Sequence, residues 1–324
     1  MHGFKTTAKL LLTVSLFLVI GSTAQAQKKS LVVTPNDPVG VPKLLAEGLG
    51  YAEGPSVDKD GNIFVCDSIA KFIRKVTPFG EVSTFVQIGS GSCGSTLDKD
   101  GNLFLCNYAS HHIVKVDTKT LECKVAAERT PDGETLRGPN DITWDNKGRL
   151  YFSDPSGSGV ATIGNVCYID LDGKCKKFAT GFGYPNGVAF SKNYKFLYLA
   201  DFYSEVIWKI EVNDDGTAGR RHFFFYMGYD GSADGIRIDA EDHLWIANCY
   251  TNELWRVSPE GKLVYTIKMP GEAGKSLTTN MCFGGPDMRT AYVTQLNEKN
   301  NGKLYTIRMP AAGMPQVPDE LKNK

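Results

Sequence analysis

The chain carries no surplus of charge: Lys+Arg and Asp+Glu stand at 36 each. That balance excludes the basic face of a nucleic-acid binder. There is no C-x-x-C pair, so a zinc or redox centre of that kind has no support. There is no phosphate loop, and no glycine fingerprint opens a helix to cradle a dinucleotide. Ser153 and Ser156 lack the G-x-S-x-G elbow of a serine hydrolase. Amphipathic helical periodicity is missing as well.

Long apolar runs are missing but for one. Residues 10–20 follow Lys5 and Lys9 and precede Ala24-Gln25-Ala26. A positive start, a short apolar stretch and a small-residue site form a secretory signal, too short for an ordinary membrane span. The expectation is an exported protein, periplasmic or extracellular, starting near Gln27 and free of the membrane once cleaved; a retained anchor is the alternative. Without the first 26 residues the charge is 34 minus 36, or −2. Eight cysteines follow. An exported setting permits disulfides, but the spacings are not those of a disulfide scaffold. Cys66 and Cys106 occupy a repeat position that wants a small residue and read as packed thiols. Cys167 and Cys175 flank the turn Leu171-Asp172-Gly173, where either a cross-hairpin disulfide or two free thiols would fit.

What the chain does have is a repeat. DKDGNIFVCD starts at Asp58, DKDGNLFLCN at Asp98, DNKGRLYFSD at Asp145, SKNYKFLYLAD at Ser191 and DAEDHLWIAN at Asp239. A worn copy, PDMRTAYVTQ, starts at Pro286. Starts about 40 to 48 residues apart match a four-stranded propeller blade. Alternating β-branched and aromatic residues around Asp-Gly and Pro-x-Gly turns supply the strands. The expected fold is all-β: a six-bladed propeller of four-stranded antiparallel blades over residues 41–310. Residues 1–26 are the signal, 27–40 an N-terminal extension and 311–324 a C-terminal tail, the last two read as loose ends. The segment Lys43 to Asp58 matches Lys177 to Ser191 from Leu45 onward, so that Tyr51 falls on Tyr184 and Glu53 on Asn186. It is therefore an outer strand without a preceding blade, and it should close the ring against the last copy.

Five residues before each start lie Glu53, Cys93, Asn140, Asn186 and Asp234, and in the sixth copy Met281, next to Asn280. Equivalent positions in a radial repeat share one ring around the axis. Two carboxylates and two amides there suit a hard cation, Ca²⁺ first, with Mg²⁺ or Mn²⁺ as alternatives. Zn²⁺ usually draws His or Cys, and only Cys93 offers one. Read singly, each of these residues before Gly or Pro is an ordinary turn former; four at one register make a pattern. A second ring, Asp67, Asn107, Asp154, Asp201, Asn248 and Gln295, ends the second strands and reads as structural. His111 and His112 read as loop residues of the second blade.

Ala-Glu-Gly-Pro, GPNDITWDNKGRLYFSDP, YPNGVAFSKNYKFLYLAD, ADGIRIDAEDHLWIAN and NMCFGGPDMRTAYVT together resemble the regucalcin (senescence marker protein) and gluconolactonase family, in its bacterial gluconolactonase-like branch. The resemblance covers nearly all of the chain after the signal. It implies a metal-dependent hydrolase that opens a small-molecule lactone. It implies one divalent metal held by Glu53, Asn186 and Asp234, with Asn140 beside it touching metal, water or substrate. Asp234 is then also the acid–base residue. Two departures matter. Gly138 stands where animal regucalcins carry an Arg, which puts their style of sugar-acid recognition in doubt. Cys93 stands where paraoxonase-like relatives would need histidine. A propeller that binds a ligand or partner without turnover, or a hydrolase of another electrophile such as a phosphoester, are the competing readings. The loops 153–164 and 226–233 would shape the pocket. Oligomeric state is not legible.

Overall fold

The computed structural model describes residues 38–155, 163–228 and 231–322. The signal-like segment and most of the N-terminal extension lie outside them, as do parts of both pocket loops. Six four-stranded sheets fill the described residues, with one four-residue helix, Asp319–Lys322. The six-bladed all-β propeller is as expected.

Each repeat begins with a turn that its first side chain builds. Asp58 Oδ1 accepts the N–H groups of Asp60 and Asn62, and Asp98 does the same for Asp100 and Asn102. Asp145 and Asp239 repeat the pattern in blades three and five. A carboxylate that satisfies two backbone donors fixes the reversal between the first and second strands. The fourth residue of the turn is left-handed: Gly61 at φ 80°, Gly101 at 83°, Gly148 at 104°, and Tyr194 at 58° and Asp242 at 63°.

The second strands are the most apolar and the most buried. Ile63–Asp67, Leu103–Asn107, Leu150–Asp154 and Leu244–Asn248 are buried at every residue. Outer strands such as Val82–Gln87 and Leu263–Lys268 face solvent at most positions. The gradient follows from stacking, because an inner strand is covered by a blade on either side. Core clusters accordingly bridge neighbours: Trp245 and Leu254 of blade five pack with Phe283, Val293 and Ile307 of blade six. No blade buries both faces alone, so the ring forms as one unit.

Closure occurs as the repeat implied. Lys43–Glu47 pairs antiparallel with Lys303–Arg308, Lys43 opposite Thr306 and Glu47 opposite Lys303. Blade six thus takes its outer strand from the start of the chain, which ties the two ends together. The tail is not loose, contrary to expectation. Gly313 donates to Met288 O, Met314 to Ile238 O, and Gln316 side-chain atoms bridge Val57 N–H and Pro55 O. Ala311 and Leu321 are buried. The tail therefore crosses the lower face from blade six past blade five to blade one. Gly40 likewise donates to Arg308 O at 2.9 Å.

Cys167 and Cys175 are both free and buried. The ladder sets Cys167 opposite Lys177 and Cys175 opposite Ile169, so the thiols meet diagonally and share a hydrogen bond. Cys66 and Cys106 are packed thiols, as read.

Candidate active site on the propeller axis

Glycine clearances locate the ring. A Cβ on Gly54 would lie 2.2 Å from Cys93 O, and one on Gly94 2.6 Å from Asn140 O. A Cβ on Gly187 would lie 2.3 Å from Asp234 O, and one on Gly235 2.1 Å from the Asn280 amide carbon. Each of these glycines follows a ring residue and abuts the ring residue of the next blade. Only glycine lets backbones meet this closely at the axis. Glu53, Cys93, Asn140, Asn186, Asp234 and Asn280 are thereby successive members of one circle.

Asn280, not Met281, is the sixth member. Met281 is fully buried in the core between blades five and six. The left-handed turn residue of blade six is Met288, at φ 56°, which makes Gly285 the true start of the worn copy. Five residues before it stands Asn280. Its Oδ1 is occupied by Met281 N–H at 2.8 Å, leaving that amide a structural part of the ring.

The four predicted site residues come together at two depths. Glu53 and Asn186 are buried, while Asn140 and Asp234 are half-buried at the open side with Cys93. Asn186 hydrogen-bonds Asp234. Glu53 Oε2 accepts Gly54 N–H at 3.1 Å. Asn140 hydrogen-bonds the Tyr184 hydroxyl. Burial pushes Asp234 up to about 8, and the charge of Asp141 adds to the rise against the Asn186 bond. Burial and then the Asp234 charge hold Glu53 well above the usual carboxylate range. Tyr51 and Tyr184 are raised too, first by burial, then by Glu53 for Tyr51 and by Cys93 for Tyr184. Burial chiefly, and next Glu53, also keep the Cys93 thiol protonated.

One atom decides what the ring suits. Asn186 Oδ1 is buried with no hydrogen-bond partner among the described residues. An orphan buried acceptor is costly, by about 1–3 kcal/mol, unless something positive faces it. Beside it stand the carboxylates of Glu53 and Asp234, whose ionisation burial disfavours. Their oxygens and the Asn186 amide oxygen are hard donors, the kind that a divalent cation takes. No three His, Cys, Asp or Glu side chains converge among the described residues, so a metal here would rest on two carboxylates and amides.

The second ring is structural, as read. Asp154 Oδ1 accepts Arg137 N–H at 2.7 Å and Gly138 N–H at 2.9 Å. Asp201 accepts Gly183 and Tyr184 N–H, Asp67 accepts Tyr51 N–H, and Asn248 accepts Ser232 N–H. These side chains fix the segments that lead into the ring residues. His111 bonds Leu136 O and His112 lies 3.5 Å from Glu128, so both take part in loop contacts of blade two.

Two features escaped the sequence. Tyr51 and Tyr184 wall the site, and the self-alignment that superposed them was the available signal. They begin an aromatic rim: Tyr184 meets Tyr203 edge-on at 5.1 Å, and Phe202 meets Tyr250 at 5.8 Å. The ion pair between buried Asp141 and partly buried Arg237 left no signal.

Residues 49–297 match the family model described as the SMP-30/gluconolactonase/LRE-like region. The chain belongs to this family. It is 26% identical over 274 residues to a gluconolactonase of Zymomonas mobilis, covering 75% of each chain. It is 28% identical over 284 residues to the lactonase drp35 of Staphylococcus epidermidis, covering 84% of this chain and 87% of that one. Among solved structures, a calcium-binding regucalcin from Agrobacterium tumefaciens superposes with a TM-score of 0.72 at 19% identity, over 84% of this chain and 96% of that one. This last likeness is one of fold.

Proposed function

We propose that the protein opens lactone rings at its axial ring, with one divalent cation held by Glu53, Asn186 and Asp234. The orphan Asn186 Oδ1 beside the buried Glu53 and the half-buried Asp234 carries the reading. The names of the lactonase relatives support the substrate class, and that of the regucalcin supports Ca²⁺. Mg²⁺, Mn²⁺ and Zn²⁺ remain alternatives, Zn²⁺ the least suited to these oxygens.

Bound there, a divalent cation supplies Lewis-acid polarisation of an ester carbonyl and offsets the charge that develops on its oxygen. The chain's own residues do the rest. A nearby positive charge returns Asp234 to its ionised form despite burial. Asp234, half-buried on the open side, then takes a proton from the attacking water as the new acyl C–O bond forms. When the ring C–O bond breaks, Asp234 gives that proton to the departing alkoxide, and a hydroxy acid leaves. Asn140, oriented by the Tyr184 hydroxyl, offers its amide to substrate. Glu53 is held by Gly54 N–H and keeps its place in the ring.

The test is hydrolysis of a lactone panel before and after chelation, with metal restored. Turnover that disappears with chelator and returns with Ca²⁺ supports the reading. Turnover indifferent to chelator, or absent from every lactone, refutes it. Asp234→Asn should retain the fold and lose turnover. The signal-like N-terminus extends the reading to an exported enzyme, whose secreted form should begin at Gln27 by mass spectrometry; an intact N-terminus on the exported protein would refute that.

A further inference from the structure

The residue after Asn140 is a third carboxylate, and it is sealed beneath the ring. Asp141 is fully buried. Its Oδ2 accepts Arg237 Nη1 at 2.9 Å and its Oδ1 accepts Nη2 at 3.3 Å, a two-point pairing. Oδ2 also accepts Val188 N–H at 3.1 Å, and Arg237 Nη1 reaches Ile236 O at 2.7 Å. Asp141 follows Asn140, Val188 lies two residues past Asn186, and Arg237 three past Asp234. One carboxylate thus ties together the strands that deliver three ring members. It packs on a fourth blade as well, since a Cβ on Gly94 would lie 2.8 Å from Asp141 Oδ1. Below, Arg237 lines a cavity of about 40 Å³ roofed by the tail residues Met314 and Gln316. The pair therefore separates the open site from the lower end of the axis.

We propose that the Asp141–Arg237 pair is a charge counterweight that sets how tightly the axial ring holds a divalent cation. Both groups act on the ring through space: Asp141 on Glu53 and Asp234, and Arg237 on Glu53. Together their charges nearly cancel. Alone, Asp141 would be a third anion next to a two-carboxylate site, and Arg237 alone would be a cation beneath it. In a medium that screens weakly, one uncancelled unit charge at this range changes cation affinity by on the order of tenfold. The pair thus lets a buried carboxylate brace three blades without converting the site into a three-carboxylate trap. This rests on the cation reading given above, and it assigns residues outside the proposed ligands.

The experiment is calorimetric titration of the chelator-stripped full chain with Ca²⁺, with near-ultraviolet circular dichroism to check each fold. Arg237→Met should tighten Ca²⁺ binding by about tenfold, and Asp141→Asn should weaken it by about as much. The double variant should return to within a few-fold of wild type. Arg237→Lys keeps the charge and should keep wild-type affinity even where it melts earlier. A purely structural pair would weaken binding in both single variants. That result, or Arg237→Lys behaving like Arg237→Met, overturns the proposal and leaves the cation reading standing. Absence of Ca²⁺ binding by the wild type overturns both.

Discussion

Replacing Gly187 by Ala should damage the site from a residue with no chemistry of its own. The new Cβ would lie 2.3 Å from Asp234 O, 2.7 Å from Ile236 N and 3.0 Å from Gly235 C, all backbone atoms. Ordinary Cβ contacts begin at 3.4 Å, so 3.4 minus 2.3 leaves about 1.1 Å to be absorbed. The strand Ala233–Ile238 cannot slide to absorb it, because its pairing to Leu244–Asn248 and the bulge between Ala233 and Ile236 fix its register. The displacement must fall on Asp234 and its neighbour Asn186. A shift of that size at a reacting group costs about 100-fold in turnover, and overpacking of this kind costs about 1–3 kcal/mol of stability. Lactone turnover with saturating Ca²⁺ and urea unfolding would measure the two effects. Gly101→Asn is the control, since Gly101 has nothing within 4 Å and a φ of 83° that Asn tolerates. Wild-type turnover in Gly187→Ala would show that the blades do not meet at the axis as described.

Asn186→Leu removes the orphan oxygen and also the amide that hydrogen-bonds Asp234; it should abolish Ca²⁺ binding, while the two losses offset and leave the metal-free protein within about 1 kcal/mol of wild type by thermal unfolding. Asp154 titrates near 6 in the fold, chiefly because burial raises it from 3.8. The folded state therefore holds that proton more tightly than the unfolded chain, so the contribution is full below 3.8 and is lost as pH climbs through about 6. Asp154→Asn should accordingly gain stability relative to wild type across that window, and a flat difference in urea midpoints would contradict the assignment. Deleting the chain through Glu47 removes the outer strand of blade six and bares the edge Lys303–Arg308; loss of cooperative unfolding and aggregation are expected, by scattering and calorimetry.

The fold was legible because its signals are local and repeated. A turn built by Asp in four copies and by Ser191 in another, a left-handed residue and an apolar strand recur in five clear copies, and their spacing alone sets the blade. The ring members Glu53, Asn140, Asn186 and Asp234 followed by register. The sixth slipped by one because Pro286 imitates the start that Gly285 occupies, and only the left-handed Met288 reveals the offset. Asp141 and Arg237 were invisible for a different reason. Their contact joins blades three and five, 96 residues apart, and neither position repeats in other blades. The docked tail was missed likewise, since Met314 and Gln316 bind surfaces that exist only after the ring has closed. The thiols of Cys167 and Cys175 depended on a ladder register, Cys167 opposite Lys177, that turn spacing does not fix.

The most direct test is anomalous scattering from crystals of the full chain soaked in Mn²⁺ or a lanthanide, which replace Ca²⁺ at oxygen sites. The account predicts a single strong peak on the axis, within coordination distance of Glu53, Asn186 Oδ1 and Asp234. An axis without a peak, or ions bound only elsewhere, would contradict it.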